Sequence, residues 1–225
     1  MVNKMDKKMI IIRSKRKTVA LQITDDATLI IRAPLDLDEP TIEEIIMRHK
    51  RWIEKHKEEI SKRDPKFLHK KFVNGEGFLY LGRSYKLRIV DSKEPLQFDN
   101  CFYLSRDYLK DAKDVFMEWY KKQAYEKISE RVKLYANTYG FKYKKINITN
   151  AMRRWGSCSY NGNLNFSWRL IMAPLRVIDY VVVHELLHTE EKNHSKKFWS
   201  RLKVLMSDYE KHDRWLKENG YLLRI

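Results

Sequence analysis

The chain has 225 residues, 43% of them hydrophobic and 12% aromatic, which excludes a disordered polypeptide and leaves room for one large domain or two small ones. Its 46 Lys and Arg against 30 Asp and Glu give a net charge of +16, dispersed in short clusters such as KRKTV and RHKRW. That balance suits nucleic acid, an anionic membrane surface or acidic substrates, and equally a basic soluble enzyme. Two cysteines, Cys101 and Cys158, exclude a disulfide framework, and no stretch approaches the ~20 apolar residues of a membrane span. The opening MVNKMDKKMIIIRSKRK has only a three-isoleucine run between charges, so a cytoplasmic location is expected rather than secretion.

In chain order, residues 9–33 read as two strands, with MIIIRS and TVALQIT alternating apolar and polar residues and a turn at Asp25-Asp26 before TLIIRAP. Thr41 is the expected N-cap of a helix over IEEIIMRHKRWIEKHKEEISKR, whose Ile42, Ile45, Ile46, Trp52, Ile53 and Ile60 form a stripe for core packing. Residues 66–105 return to β character, with Gly75, Gly77 and Gly82 as turns rather than a nucleotide loop. A long helix is expected from Asp107 to Tyr139, packed through Val115, Phe116, Trp119, Tyr120, Ile128, Val132, Leu134 and Tyr135 and stopped at Gly140. KINIT (145–149) reads as a strand, and AMRRWGSCSYNGNLNFSWRLI as a hairpin turning at Asn161-Gly162. A boundary is expected near residue 106, dividing a strand-rich N-terminal module, 1–105, from the half that holds the chemistry, 106–225.

That chemistry centres on His184-Glu185-Leu186-Leu187-His188, followed by His194. Residues four apart share a helix face, so His184 and His188 can point at one metal ion, and this spacing with an intervening glutamate is that of zinc hydrolases. The neighbours Val177, Ile178, Val181, Val182, Val183, Leu186 and Leu187 make the helix apolar on nearly all sides, and a buried helix rarely carries such polar groups without a partner for them. Catalytic zinc takes three protein ligands and keeps one position for water. His194 is the expected third ligand, with Asp208 or Glu210 as acidic alternatives. Asn193 in a left-handed conformation and Ser195 as N-cap of the helix KKFWSRLKVLM would swing the chain back. Glu185 is the expected general base, taking a proton from a metal-activated water.

Ahead of this helix lies Arg153-Arg154-Trp155-Gly156-Ser157-Cys158, then the strand Asn163–Ser167. A strand there could pair with an extended peptide. Arg153, Arg154, Asn165 and Tyr209 are candidate substrate-binding residues, the arginines suiting a carboxylate or phosphate. Trp155 and Trp168 are candidates for the core, and Cys158 for a small buried residue. Tyr209, His212 and Arg154 are candidates for stabilising the transition state.

The segments RWGSCS, NLNFSWRLIMAP, DYVVVHELLHTEEKNHSKKFW and DYEKHDRWL, with the N-terminal IRSKRKTVALQIT and the central FLYLGRSYKLRIV, resemble the YgjP-like metallopeptidase family over most of the chain. The resemblance implies an α+β fold: a zincin-like catalytic domain, with a small twisted sheet and an active-site helix, related to minigluzincins and to SprT and Wss-type proteases. It implies one zinc ion per chain on His184, His188 and His194, with Glu185 as base. The metzincin motif has glycine where this chain has Glu191, so that sharp turn is not expected. A metallopeptidase acting on polypeptide is the leading expectation. UTP pyrophosphatase activity, which some bacterial relatives carry, is the second, and a basic nucleic-acid-associated protein with a structural metal is the third.

Overall fold

The computed structural model describes residues 9–24, 26–61 and 70–225. Asp25 of the expected turn and the helix end beyond Ser61 lie outside these residues. The chain forms two compact units, one within residues 1–68 and one within 69–225.

In the first unit, β1 (Met9–Ser14), β2 (Ala20–Ile23) and β3 (Leu29–Pro34) form a sheet of order β1-β3-β2, with β1 parallel and β2 antiparallel to β3. Alternation along β3 buries Leu29, Ile31 and Ala33 against Ile42 and Ile53. The single helix expected after residue 41 is two helices, α1 (Glu39–Arg48) and α2 (Lys50–Ser61). Its cap is Asp38, not Thr41: the Asp38 carboxylate accepts from the Thr41 N–H and hydroxyl, and Pro40 sits in the first turn, where no N–H is required. The helix breaks at His49, and beyond it Ile53 and Ile60 stay in the buried stripe while Trp52, expected there too, is exposed and lies against His56 at 4.5 Å.

The second unit begins with β4 (Gly77–Tyr80), β5 (Arg83–Val90), β6 (Leu96–Phe98) and β7 (Phe102–Ser105) in the order β4-β5-β7-β6. Their Phe78, Leu87, Phe102 and Leu104 share one core with Phe116 and Tyr120 of α3 (Ala112–Tyr139). The boundary expected near residue 106 falls inside this unit, at the 3-10 turn Arg106–Asp111 that leads into α3. The buried positions of α3 are Ala112, Phe116, Tyr120, Ala124, Ile128, Val132 and Ala136, an i, i+4 row that includes three alanines, whereas Leu134 is exposed. Gly140 ends the helix at φ 77°, the left-handed conformation expected of it.

A second sheet, order β8-β10-β9, joins β8 (Lys145–Thr149), β9 (Gly156–Cys158) and β10 (Asn163–Ser167). β9 and β10 form the expected hairpin, with Gly162 at φ 77° in its turn, while β8 runs parallel to β10. Three helices follow: α4 (Leu175–Leu187), α5 (Lys196–Leu205) and α6 (Tyr209–Asn219). The β4–β5 turn holds the 3-10 turn Trp168–Met172 that leads into α4, since the Leu81 and Gly82 N–H groups donate to the Ile171 and Met172 carbonyls at 2.9 and 3.0 Å. A Cβ at Gly82 would meet Pro174 at 2.8 Å, so only glycine allows this approach. Among the described residues, no helix is long and apolar enough to cross a membrane.

Candidate metal centre

α4 is buried almost throughout, and its apolar sequence explains why. Two polar ties fix its position. Asp179, 1% exposed, accepts from Arg131 of α3 at 2.6 and 3.0 Å, and the Tyr180 hydroxyl reaches Asp213 of α6 at 3.3 Å. The helix thereby presents His184 in its last turn and His188 at its C-cap.

The chain turns back to bring in His194, but not through Asn193, which has no left-handed conformation. The helix instead tightens as the Thr189 and Glu190 N–H groups donate to the Leu186 and Leu187 carbonyls at 3.0 and 3.1 Å. Ser195 then caps α5 as expected, accepting from the Phe198 N–H at 3.4 Å. Glu191 fastens the turn through Lys197 and Arg201.

The outcome is that three ring nitrogens converge. His194 Nε2 lies 2.9 Å from His184 Nε2 and 3.1 Å from His188 Nε2. Tetrahedral zinc with nitrogens at ~2.0–2.1 Å sets its ligands ~3.3 Å apart, so the spacing fits one small ion. His188 Nδ1 lies 2.8 Å from the Glu191 carbonyl oxygen; donating there leaves Nε2 with its lone pair for a metal. Burial and the other two rings push His184 down to about 3, keeping it in the neutral form a metal requires. The acidic alternatives are engaged elsewhere: Asp208 with His212 at 3.0 Å, and Glu210 with Lys203 at 3.2 Å.

Glu185 faces a cleft of about 290 Å³ that His184 also lines, with Trp155, Tyr180, Asp213 and Lys217 around it. It is 5% exposed, and its Oε2 has no hydrogen-bond partner among the described residues. Burial pushes its carboxyl up to about 8, against the opposing pull of Arg154. A buried carboxyl without a donor beside three converging imidazoles is chemistry that a cation would complete.

A family model described as YgjP-like, metallopeptidase domain, matches residues 17–219. The chain belongs to the YgjP-like metallopeptidase family. No curated protein and no solved structure matches it. Membership in the YgjP-like family makes the protein a metal-dependent hydrolase, and the histidine triad is a group within it that could hold the ion.

The other sequence candidates divide. Arg154 and Asn165 line a smaller polar pocket that shares Trp155 and Gly156 with the cleft. Arg153 is exposed and lines neither. Tyr209 stacks between Tyr180 and Trp199, at 6.4 and 5.7 Å, as part of the wall behind the triad. His212 is buried against Asp208, away from the cleft lining. Trp168 is buried in the core, whereas Trp155 is half-buried and separates the two pockets.

Sequence reasoning missed Gly156. A Cβ there would lie 2.5 Å from Glu185 Oε1 and 2.6 Å from its Cγ, so β9 crosses directly over the carboxyl with no side chain between. The signal was a lone glycine at the start of a strand, which marks a close backbone approach. Tyr180, Asp213 and Lys217 carried no comparable signal, since they meet only through the packing of α4 on α6.

Proposed function

We propose that this YgjP-like protein is a zinc-dependent metallopeptidase with a zincin-like active-site helix, in which His184, His188 and His194 hold the ion and Glu185 is the general base. The observation that carries this reading is the convergence of three imidazole nitrogens, of which His184 also lines the cleft that holds the buried Glu185 carboxyl with its unpartnered Oε2. When bound, the metal would polarise a carbonyl and make a water acidic near neutral pH. Glu185 would serve as the proton carrier beside it, accepting a proton and passing it to the departing amine, and its burial keeps competing hydrogen bonds away. Among the described residues β9 pairs with β10 alone, at one edge of its sheet, so its outer edge has main-chain groups to offer an extended peptide beside Glu185.

Glu185→Gln tests the reading. It keeps the shape of the side chain, so metal content should stay at the wild-type value while cleavage of an unstructured polypeptide falls by roughly 10²–10⁴-fold. Full activity in that variant refutes the role of Glu185. Arg154, a cation beside the cleft, favours a nucleoside triphosphate as the second substrate class. Parallel incubation with UTP and with polypeptide, each with zinc, manganese or magnesium, separates the two.

A further inference from the structure

The polar pocket beside the cleft has a chemistry of its own. Pairing of β8 with β10 sets Lys145, Asn147 and Thr149 opposite Asn163, Asn165 and Ser167, and Ser157 of β9 lies opposite Asn165. These side chains alternate with Ile146, Ile148, Leu164 and Phe166, which pack into the core, so they form the outer face of the sheet. The pocket, about 200 Å³, opens on that face between Thr149, Arg154, Trp155, Ser157, Asn165 and Ser167. Its uncharged groups are already bonded. Ser167 Oγ donates to the Ala151 carbonyl at 2.8 Å, Thr149 Oγ1 to the Phe166 carbonyl at 3.3 Å, and the Asn165 amide accepts from Asn147 at 3.0 Å. Arg154 makes no ion pair among the described residues, and no Asp or Glu lines the pocket.

We propose that this pocket is a specificity subsite for an acidic side chain of the substrate, with the Arg154 guanidinium as its recognition group. The inference rests on the peptidase reading and deepens it. An extended chain paired along the free edge of β9 directs successive side chains to opposite faces of the sheet. The residue whose main chain passes over Glu185 therefore has a neighbour whose side chain projects to the outer face, beside Ser157 and Arg154. An exposed guanidinium that makes no ion pair among the described residues, though its charge also acts on Glu185, matches a carboxylate through paired N–H donors, which a neutral amide cannot replace.

The test uses peptides identical except for Glu or Gln at each position flanking the scissile bond in turn, with the zinc-loaded full chain. At one position the Glu peptide should exceed its Gln counterpart by about tenfold in kcat/KM, through KM, since a charge-assisted hydrogen bond is being gained. Arg154→Gln should bring that ratio close to one, and Arg154→Lys should retain part of it. Removing Arg154 also changes the charge acting on Glu185, but equally for both peptides, so the ratio isolates recognition. Calorimetric binding of the same pairs to the Glu185→Gln variant reads the preference without turnover. Cleavage with no Glu preference overturns the subsite and leaves the peptidase reading standing, and a preference that survives in Arg154→Gln overturns the role of Arg154. If wild type cleaves no peptide at all, the peptidase reading fails. Binding then decides the subsite: selective capture of the Glu peptide supports it, and equal or absent capture overturns it.

Discussion

Gly156→Ala is the sharpest probe of how β9 and α4 are assembled. The added Cβ would stand 2.5, 2.6 and 2.8 Å from Oε1, Cγ and Cδ of Glu185, where carbon contacts normally settle at ~3.5–4.0 Å. The strand is held by β10 on one side, and the helix backbone beneath is fixed by its buried neighbours. The Glu185 side chain must therefore give way, by about 1 Å, from the position in which it faces the cleft. Overpacking of this kind costs about 1–3 kcal/mol, which for a chain of this size lowers Tm by roughly 2–12 °C. A 1 Å displacement of a reacting group costs on the order of 10²-fold in rate. The three atoms nearest the new methyl all belong to Glu185, so metal content should not change. Cleavage kinetics, thermal melting and metal analysis on the same preparation read all three quantities. Wild-type activity with wild-type Tm would refute the placement of β9 over the carboxyl, and loss of metal would show instead that the strand supports the triad.

The remaining predictions concern the support of the site and its occupancy. Asp179→Ala leaves the Arg131 guanidinium, only 16% exposed, with just the Tyr135 hydroxyl at 3.4 Å and Glu130 at 4.0 Å beside it, and should lower stability by about 3 kcal/mol, the lower end of the range for breaking a buried pair; Arg131→Met together with Asp179→Leu should restore much of the loss, as read by denaturant melts. Stripping the metal with a chelator should lower Tm reversibly. At a free metal concentration 1,000 times Kd the linkage is about 4 kcal/mol, and a Tm that ignores both chelator and added zinc would refute binding by the folded triad.

What the sequence disclosed follows from how local each signal was. His184 and His188 were legible because four-residue spacing on a helix is a property of adjacent turns, and Ser195 because a cap is a contact three residues long. Gly140 and Gly162 were legible for the same reason: each occupies a left-handed position that its own neighbours require. The errors arose where a few degrees of backbone decide the outcome. Asp38 outcompeted Thr41 as a cap because its carboxylate reaches both the N–H and the hydroxyl of Thr41. His49 interrupted a hydrophobic stripe that looked continuous, and Trp52 went to the surface. The parts of the cleft contributed by Tyr180, Asp213 and Lys217 come from two helices some thirty residues apart, and no pattern within either helix announces their meeting.

The same distinction explains why the chemistry-bearing half of the sequence does not stand alone in the fold. The triad is only as well placed as α4, and α4 is held at three levels along its length. The β4–β5 turn grips the 3-10 turn just ahead of it through Leu81 and Gly82, Arg131 of α3 holds Asp179 in its first half, and Asp213 of α6 receives Tyr180 one turn before His184. The first of these grips comes from backbone groups of a turn with no chemistry-bearing side chain of its own. α3 is likewise packed on its apolar row by Phe78, Leu87, Phe102 and Leu104 of β4–β7. A reading by chemical content assigns these strands to an accessory module, whereas the core assigns them to the unit that carries the histidines. Rigidity at a site of this kind is supplied by packing, so the residues that set the geometry of the three histidines extend well beyond the segment that contains them.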